Sequence, residues 1–158
     1  MAFTLGSLFL LCGISGLLTG VSTAPVKAFY CPNDWILLKS SCYIYQEQIR
    51  TFADAESVCN ILGGNLVSIQ DGLENAFVLE LIRAAGDADE AWIGYTDAIM
   101  EDDFIWTDGS DNSFENFADG EPDDDGDCVV METDDGEWDD MDCTDTFSYV
   151  CIMDASHH

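Results

Sequence analysis

Residues 120–143 read GEPDDDGDCVVMETDDGEWDDMDC, and this segment decides how the rest of the chain is interpreted. Half of its 24 residues are Asp or Glu, and none is Lys or Arg. An acidic tail that is merely solvated is usually monotonous and lacks aromatic residues. This segment instead contains the apolar run VVM, a tryptophan and two cysteines, which are residue types of a folded core. Acidic side chains threaded between core residues indicate a folded loop region that holds something positively charged.

The charge of the whole chain is as uneven as that of this segment. The 158 residues carry 32 acidic and four basic side chains, a formal net charge of −28, and Arg83 is the last Lys or Arg. A phosphate backbone would be repelled, so we expect no nucleic-acid partner. Because 47% of the residues are hydrophobic, the composition indicates one compact domain and not a disordered acidic chain.

The first 24 residues have the character of a secretory signal peptide. They carry no charged side chain, include the run LGSLFLLCGISGLL and end in small residues at 22–24. Pro25 disfavours a cut after Ala24, so the cleavage position stays open, as does the alternative of an uncleaved membrane anchor. We expect residues 1–24 to be removed and the remaining protein to be secreted, without membrane insertion.

The cysteine count supports an exported protein. Cys12 lies within the proposed signal peptide. The six that remain are Cys31, Cys42, Cys59, Cys128, Cys143 and Cys151. An even number in an exported chain indicates disulfides, and six cysteines permit about 15 pairings, among which composition cannot choose. A zinc site is the weaker alternative, because no pair has CxxC spacing and thiolate sites are disfavoured in an oxidising compartment.

After the first of these cysteines, the sequence predicts a hairpin followed by two helices. Two short strands flank a turn at residues 39–41. Thr51 is the N-cap candidate of a helix over residues 51–62, and Asp71 is that of a helix over residues 71–85. The predicted apolar positions are Phe52, Ala55, Cys59 and Leu62 in the first helix and Leu73, Phe77 and Leu81 in the second.

Beyond the second helix, short strand-like runs alternate with loops rich in Gly and Asp. The runs are AWIGY, FIW, CVVM and FSYVCIM, and NLVSI forms an earlier one between the helices. Helices followed by several strands indicate an α+β fold with antiparallel pairing and not a βαβ sheet. The long segment between Ile105 and Cys128 carries Phe114 and Phe117, so we expect it to fold onto itself.

These runs, in their order, resemble the C-type lectin-like domain. The similar elements are WIGY at residues 92–95, FIWTDGS, GEP at residues 120–122, a cysteine before VVM, GEWDD and the last two cysteines. The resemblance covers residues 31–153. It implies an α+β fold with two helices, two small antiparallel sheets and a long calcium-binding loop region. It also implies disulfides 31–42, 59–151 and 128–143, of which the first marks the long form of the fold.

The resemblance further implies where calcium and carbohydrate bind. The family uses a Glu-Pro-Asn or Gln-Pro-Asp motif, a Glu before the fourth cysteine and a Trp-Asn-Asp motif. At matching positions, Glu121 and Asp123 supply the first motif, and Asp139 and Asp140 supply the third. The second motif is missing, because Gly126 stands at its position. The neighbouring Asp125 is the candidate substitute.

An auxiliary calcium site is implied as well. Its carboxylates are Asp97, Glu101, Asp124 and Asp127. Calcium takes roughly six to eight oxygen ligands, so carboxylates from separate loops must converge on it.

For the main site, the family also implies a cis peptide bond before Pro122, which directs the side chains on both sides of it toward one ion.

We therefore expect a secreted calcium-dependent lectin with a recognition or innate-defence role. The Asn of each family motif is an Asp here, Asp123 and Asp139, so the site attracts a cation but offers a sugar no amide donor. Calcium binding should survive and sugar affinity should fall, with the choice between mannose- and galactose-type sugars left open. The alternative is an acidic calcium- or mineral-binding extracellular matrix protein on a lectin-like fold, with weak or lost sugar binding.

An enzyme fits the sequence poorly. Paired carboxylates occur in glycosidases, but here they lie in the calcium motifs, and no nucleophile–base motif is present. Both histidines stand at the end of the chain, where we interpret them as a tail. We therefore assign no catalytic residue. Ice binding, known among lectin-like domains, ranks third because it usually requires a flatter and less charged surface.

Overall fold

The computed structural model describes residues 28–86, 88–123 and 126–157. The proposed signal peptide, the predicted ligand Asp124 and its neighbour Asp125 lie outside these residues. Within the described ranges, no helix is long and apolar enough to cross a membrane.

The described residues contain two helices and ten strands. In chain order they are β1 (Phe29–Tyr30), β2 (Ile36–Leu38), β3 (Ser41–Arg50), α1 (Phe52–Leu62), β4 (Asn65–Leu66), α2 (Gly72–Ala85), β5 (Glu90–Thr96), β6 (Ile105–Trp106), β7 (Cys128–Glu132), β8 (Trp138–Met141), β9 (Phe147–Asp154) and β10 (Ser156–His157). The predicted α+β class is confirmed, together with the hairpin, both helices and the strand-like runs. The run NLVSI is shorter than predicted, because only its first two residues pair with β9.

The strands form one large sheet and one small one. Eight strands pair in the order β2-β3-β9-β5-β7-β8, with β4 beside β9 and β6 beside β5. The pair β5–β9 is parallel and joins antiparallel strands on either side of it. β1 and β10 pair separately, with Phe29 opposite His157. His157, interpreted from the sequence as part of a tail, therefore belongs to a strand.

Local capping explains where both helices begin. The hydroxyl of Thr51 accepts the N–H of Asp54 at 3.3 Å, and the carboxylate of Asp71 accepts those of Leu73 and Glu74 at 3.0 and 2.9 Å. Both predicted N-caps are confirmed. α1 ends at a glycine whose φ of 97° lies in the left-handed region, where a side chain would be strained.

The predicted apolar faces are only partly correct. Phe52, Ala55 and Cys59 of α1 are buried as expected, but Leu62 is 40% exposed. In α2, Leu73 is 60% exposed, and Phe77 and Leu81 are only partly buried. The buried positions of α2 are Glu74, Asn75, Val78, Leu79 and Ile82. The face is rotated because two polar side chains find hydrogen-bond partners inside the protein, which hydrophobic periodicity cannot foresee.

The three implied disulfides are present. They join Cys31 to Cys42, Cys59 to Cys151 and Cys128 to Cys143. The zinc alternative is contradicted, because all six thiols are oxidised in pairs. The second bridge ties α1 to β9, and the third closes the acidic segment onto the start of β7.

Aromatic side chains fill the core beneath the acidic segment. Trp138 at the start of β8 is fully buried, and its ring lies 5.8 Å from Phe114, 5.9 Å from Phe117 and 5.6 Å from Trp106. The long segment before β7 is folded, as predicted, but its Phe114 and Phe117 pack on Trp138 of β8 and not only on the segment itself. The strand that carries the acidic motif WDD begins in this core.

Candidate metal centre

Three carboxylates from the two ends of the acidic segment converge. Glu121, Asp139 and Asp140 each offer an oxygen, and these oxygens all lie within 4.8 Å of one another. Asp139 and Asp140 lie on β8, whereas Glu121 lies in the loop before β7. The peptide bond between Glu121 and Pro122 is cis, which confirms that prediction.

Backbone donors fix the most buried of these carboxylates. Asp140 is 1% exposed, and its two oxygens accept the N–H of Asp123 at 2.9 Å and that of Gly126 at 3.2 Å. A carboxylate held by donors from both sides has a defined orientation. The loop that carries the Glu-Pro-Asp motif is thereby attached to β8.

The electrostatics of the group show carboxylates crowded together. Burial, together with the negative charges of Asp139 and Asp123, raises the pKa of Glu121 to about 7. The pKa of Asp139 is also raised, mainly by burial. One oxygen of Glu121, Oε2, is buried and has no hydrogen-bond partner in the described residues.

Asp123 stands at the edge of the group. Its N–H binds Asp140, and its charge raises the pKa of both Glu121 and Asp139. Its carboxylate is not one of the three that lie within 4.8 Å of one another. The structure therefore brings together three of the four residues expected at the main site and places the fourth beside them.

Gly126 shows why the family's second motif is missing. A Cβ atom at Gly126 would lie 1.9 Å from the carbonyl carbon of Met141, so the loop passes against the backbone of β8 too closely for any side chain. A glutamate at this position is incompatible with this path of the loop.

The residues of the implied auxiliary site are only partly assembled. Asp97 is 5% exposed, its N–H binds the carbonyl of Asp127 at 3.2 Å, and its Oδ2 accepts the N–H of Asp102 at 3.0 Å. Its Oδ1 is buried and has no partner in the described residues. Burial raises the pKa of Asp97, and the charges of Asp127 and Asp140 add to the rise. Glu101 lies exposed in the same loop.

The donor set fits calcium. All converging atoms are carboxylate oxygens, which are the ligands that calcium prefers. Two buried carboxylate oxygens, Glu121 Oε2 and Asp97 Oδ1, have no hydrogen-bond donor among the described residues, and a cation facing them would offset the cost of burying them. Glu121, Asp139 and Asp140 would hold the ion, with Asp123 at the rim.

Two asparagines that support this site were missed in the sequence. The side-chain amides of Asn75 and Asn116 both donate to the carbonyl of Gly136, at 2.9 and 2.8 Å. Asn75 Oδ1 also accepts the indole N–H of Trp138 at 2.8 Å. For Asn75, the only signal in the sequence was a polar residue on an amphipathic helix, which periodicity assigns to the surface; Asn116 lies in the loop between β6 and β7, where the sequence offers no such signal.

Comparison with known proteins identifies the family. A family model described as the lectin C-type domain matches residues 48–153, which is more than half of the chain. The chain belongs to the C-type lectin domain family. The buried aromatic core, the three disulfides and the converging carboxylates described above are therefore features of a C-type lectin domain.

Curated relatives of this C-type lectin domain have varied names. It is 33% identical to ladderlectin of Oncorhynchus mykiss over 74% of this chain and 64% of that protein. It is 34% identical to the low affinity immunoglobulin epsilon Fc receptor of Mus musculus over 72% of this chain and 34% of that one. It thus spans less than two thirds of either protein. It is 33% identical to the alpha-N-acetylgalactosamine-specific lectin of Patiria pectinifera over 89% of this chain and 94% of that lectin.

Solved structures have the same fold. The cow C-type carbohydrate-recognition domain of CD23, determined in the presence of a GlcNAc2Man3 oligosaccharide, aligns with a TM-score of 0.74 and 32% identity over 82% of this chain and 99% of that one. A calcium-independent type II antifreeze protein aligns with a TM-score of 0.76 and 26% identity over 82% and 98%. The fold therefore occurs in proteins with different ligands.

Proposed function

We propose that this protein is a secreted C-type lectin that binds carbohydrate in a calcium-dependent manner through Glu121, Asp123, Asp139 and Asp140. The single observation that carries the proposal is the convergence of three carboxylates within 4.8 Å beside a cis Glu121–Pro122 bond. The role is recognition, with no catalytic residue assigned. The three disulfides support secretion, because such bonds persist in oxidising compartments.

The carboxylates have two tasks in this proposal. When calcium is bound, it supplies a positive centre for the oxygen atoms of two sugar hydroxyls. The carboxylates that hold it also accept the protons of those hydroxyls. Because Asp123 and Asp139 replace amides, each hydroxyl lacks an N–H donor that is worth about 1 kcal/mol. We therefore expect sugar affinity to be weaker than at sites with asparagine.

Two relatives support carbohydrate as the ligand class. One is named as a lectin specific for alpha-N-acetylgalactosamine, and the other was determined in the presence of an oligosaccharide that contains mannose. These two names point to different sugars, and the Glu121-Pro122-Asp123 motif lies between the mannose-type and galactose-type motifs. The proposal is therefore a calcium-dependent glycan ligand of either type.

We also propose an auxiliary calcium ion at Asp97, Glu101, Asp124 and Asp127. The support is the buried, unpartnered Oδ1 of Asp97 and the raised pKa of that carboxyl group. Asp97 is charged at neutral pH only at a cost in free energy, and a cation would offset this cost.

A second candidate function follows from the charge outside the site. Burial and neighbouring acidic residues raise the pKa of Glu90 and Glu132, which lie opposite each other on β5 and β7. A net charge of −28 with crowded carboxylates away from the motifs favours an acidic calcium- or mineral-binding matrix protein. This alternative requires the binding of calcium but no arrangement of side chains that recognises a sugar.

The test is a glycan array with the disulfide-intact protein, probed in millimolar calcium and again in chelator. The site variant is Glu121→Ala, which removes the side-chain oxygens, and the matched control is Glu47→Ala on the exposed end of β3. We expect calcium-dependent spots for the native protein and the control, and none for the site variant. The melting temperature should rise in calcium, because 10 mM calcium at a Kd near 0.1 mM adds about 2.7 kcal/mol to the free energy of unfolding.

The other outcomes separate the two candidates. A blank array from a protein that calcium still stabilises would reject the sugar ligand and favour the matrix function. Adsorption to calcium carbonate or calcium phosphate would then be measured, and failure to adsorb would reject that candidate too. Identical melting curves in calcium and in chelator would reject calcium binding itself.

A further inference from the structure

Helix α2 holds the turn that precedes the proposed ligands. Asn75 is 8% exposed, and its side chain donates to the carbonyl of Gly136 and accepts the indole N–H of Trp138. The turn packs directly on the helix, since a Cβ on Gly136 would lie 2.9 Å from Leu79 Cδ2 and 3.3 Å from Asn75 Nδ2. The buried amide of Asn75 therefore satisfies both the carbonyl of Gly136 and the indole N–H of Trp138.

Trp138 links both segments that supply the ligands. Asp139 and Asp140 follow it directly on β8. Its carbonyl accepts the N–H of Ala118 at 3.0 Å, and the carbonyl of Ala118 accepts the N–H of Glu121 at 3.1 Å. The position of all three converging carboxylates therefore depends on the position of Trp138.

We propose that Asn75 is a positioning residue of the calcium site and acts on it through Trp138. The inference rests on the proposed function, because it concerns the affinity of that same site. Within the described residues, the hydrogen bonds of the Asn75 side chain go to Gly136 and Trp138 and not to Glu121, Asp139 or Asp140. Asn75 fixes Trp138, and thereby the spacing of Glu121, Asp139 and Asp140, on which the binding of an ion depends.

The physical reason is that the partners of Asn75 are buried. Without the amide, the indole N–H of Trp138 loses its acceptor and Gly136 loses one of its two donors. A buried polar group without a partner is destabilising, so the turn would shift to regain one. Groups that orient metal ligands typically change metal affinity by about 10- to 100-fold when removed.

Coupling between two sites is reciprocal, so the ion must also act on Asn75. If the hydrogen bond between Asn75 and Trp138 favours calcium binding, bound calcium favours that hydrogen bond to the same extent. The indole N–H of Trp138 should then exchange with solvent more slowly in calcium than in chelator, by more than the global gain in stability explains. This effect is measurable on the native protein.

The test compares two variants of the same buried helix face. Asn75→Leu removes both hydrogen bonds, and Ile82→Val removes one methylene group from the core seven residues further along α2. The Kd for calcium is measured by calorimetric titration with calcium chloride. We expect the Kd of Asn75→Leu to rise by about ten-fold or more, while that of Ile82→Val stays within about two-fold of the native value.

A second measurement covers the case in which Asn75→Leu does not fold. Hydrogen exchange of the Trp138 indole in the ¹⁵N-labelled native protein is then followed with and without calcium, with the indole of Trp92, bonded to the carbonyl of Arg50, as the internal reference. Selective protection of Trp138 supports the inference, and equal protection of both indoles overturns it.

The outcomes also separate this inference from the proposed function. Native calcium affinity in Asn75→Leu, or equal loss in both variants, would overturn the positioning role and leave the calcium site standing. A native protein that binds no calcium would overturn both proposals together.

Discussion

At the scale of single residues, two side chains distinguish this site from the amide-containing motifs of its family. Asp123 and Asp139 stand where those motifs have asparagine. An ionised carboxylate only accepts hydrogen bonds, whereas an amide also donates two. Both aspartates raise the pKa of Glu121, so they add to the negative charge of the site while removing donors that a sugar hydroxyl would use.

Restoring both amides should therefore strengthen sugar binding and weaken calcium binding. We expect Asp123→Asn with Asp139→Asn to raise sugar affinity by about ten-fold, since two neutral hydrogen bonds contribute about 1 kcal/mol each and part is lost to ordering. Calcium affinity should fall, because two negative charges are removed. Surface binding to immobilised glycans and calcium titration measure the two effects. The control is Asp134→Asn with Asp145→Asn, which removes the same charge at exposed positions; an equal gain in the control would contradict the argument.

Gly126 allows a second prediction at this scale. Gly126→Ala places a methyl group against the backbone of Met141, so the loop must move away from β8, and Asp140 loses an N–H donor. We expect a loss of about 1–3 kcal/mol in unfolding free energy by urea titration, together with weaker calcium binding. Gly72→Ala is the matched control, because open space surrounds that position at the start of α2. If Gly126→Ala kept the native free energy of unfolding and the native calcium affinity, the loop would not be constrained at this position.

At the scale of elements, the sequence predicted where the helices begin better than it predicted which of their faces are buried. The caps at Thr51 and Asp71 are local, since each side chain binds an N–H two or three residues further along the chain. The buried face of α2 depends instead on Lys39, which binds Glu74 from 35 positions away, and on Trp138, which binds Asn75 from 63 positions away. No pattern within a helix contains such partners.

The first helix cap allows an element-scale test. Thr51→Ala removes the acceptor for the N–H of Asp54, and we expect a loss of about 1 kcal/mol in unfolding free energy. Ser57→Ala on the exposed side of the same helix should be neutral or slightly stabilising, because alanine is the better helix former. Urea unfolding monitored by circular dichroism compares the two. Equal stability of both variants would show that the cap contributes nothing.

The candidate site was predictable only where its residues belong to motifs. Glu121, Asp139 and Asp140 could be named from the sequence because the motif order is recognisable, and the structure brings them together. The supporting residues Asn75 and Asn116 could not, because neither lies in a motif and both act on Gly136 across the fold. Motifs identify the proposed ligands, whereas tertiary contacts determine which residues hold them in place.

At the scale of the whole molecule, acidic side chains far outnumber the basic side chains that could pair with them, by 32 to four. Carboxyl groups with raised pKa occur both at the candidate site and on the opposed strands β5 and β7, at Glu121, Asp139, Asp97, Glu90 and Glu132. Burial is the largest cause in each case, and neighbouring acidic residues add to it. The folded protein therefore takes up protons more readily than the unfolded chain does.

The pH dependence of stability follows from this difference. Glu121 titrates near 7 in the folded, calcium-free protein but near its ordinary value of 4.5 when unfolded, so the folded state binds more protons between these values. Stability should therefore fall as pH rises through this window. The lowered pKa values of Asp71 and Asp142 act oppositely, but below 3.8. We expect calcium-stripped protein to melt at a higher temperature at pH 5 than at pH 7.5.

Calcium should reverse this trend, because protons compete with the ion for the same oxygens. Melting temperatures at pH 5, 6 and 7.5 with and without calcium provide the measurement, and Glu121→Gln should flatten the calcium-free profile. Glu80→Gln, at an exposed position of α2, is the control and should retain the native profile. A calcium-free protein that gains stability toward pH 7.5 would contradict the crowding of carboxylates described here.

The pairing of β1 with β10 affects how this domain can be combined with other proteins. Phe29 and His157 face each other in register, so the two ends of the described chain leave the domain side by side, about 5 Å apart. A domain with adjacent ends can be inserted into a surface loop of a host protein without stretching that loop. The same adjacency would permit circular permutation, with a short turn joining β10 to β1 and new termini at an exposed loop.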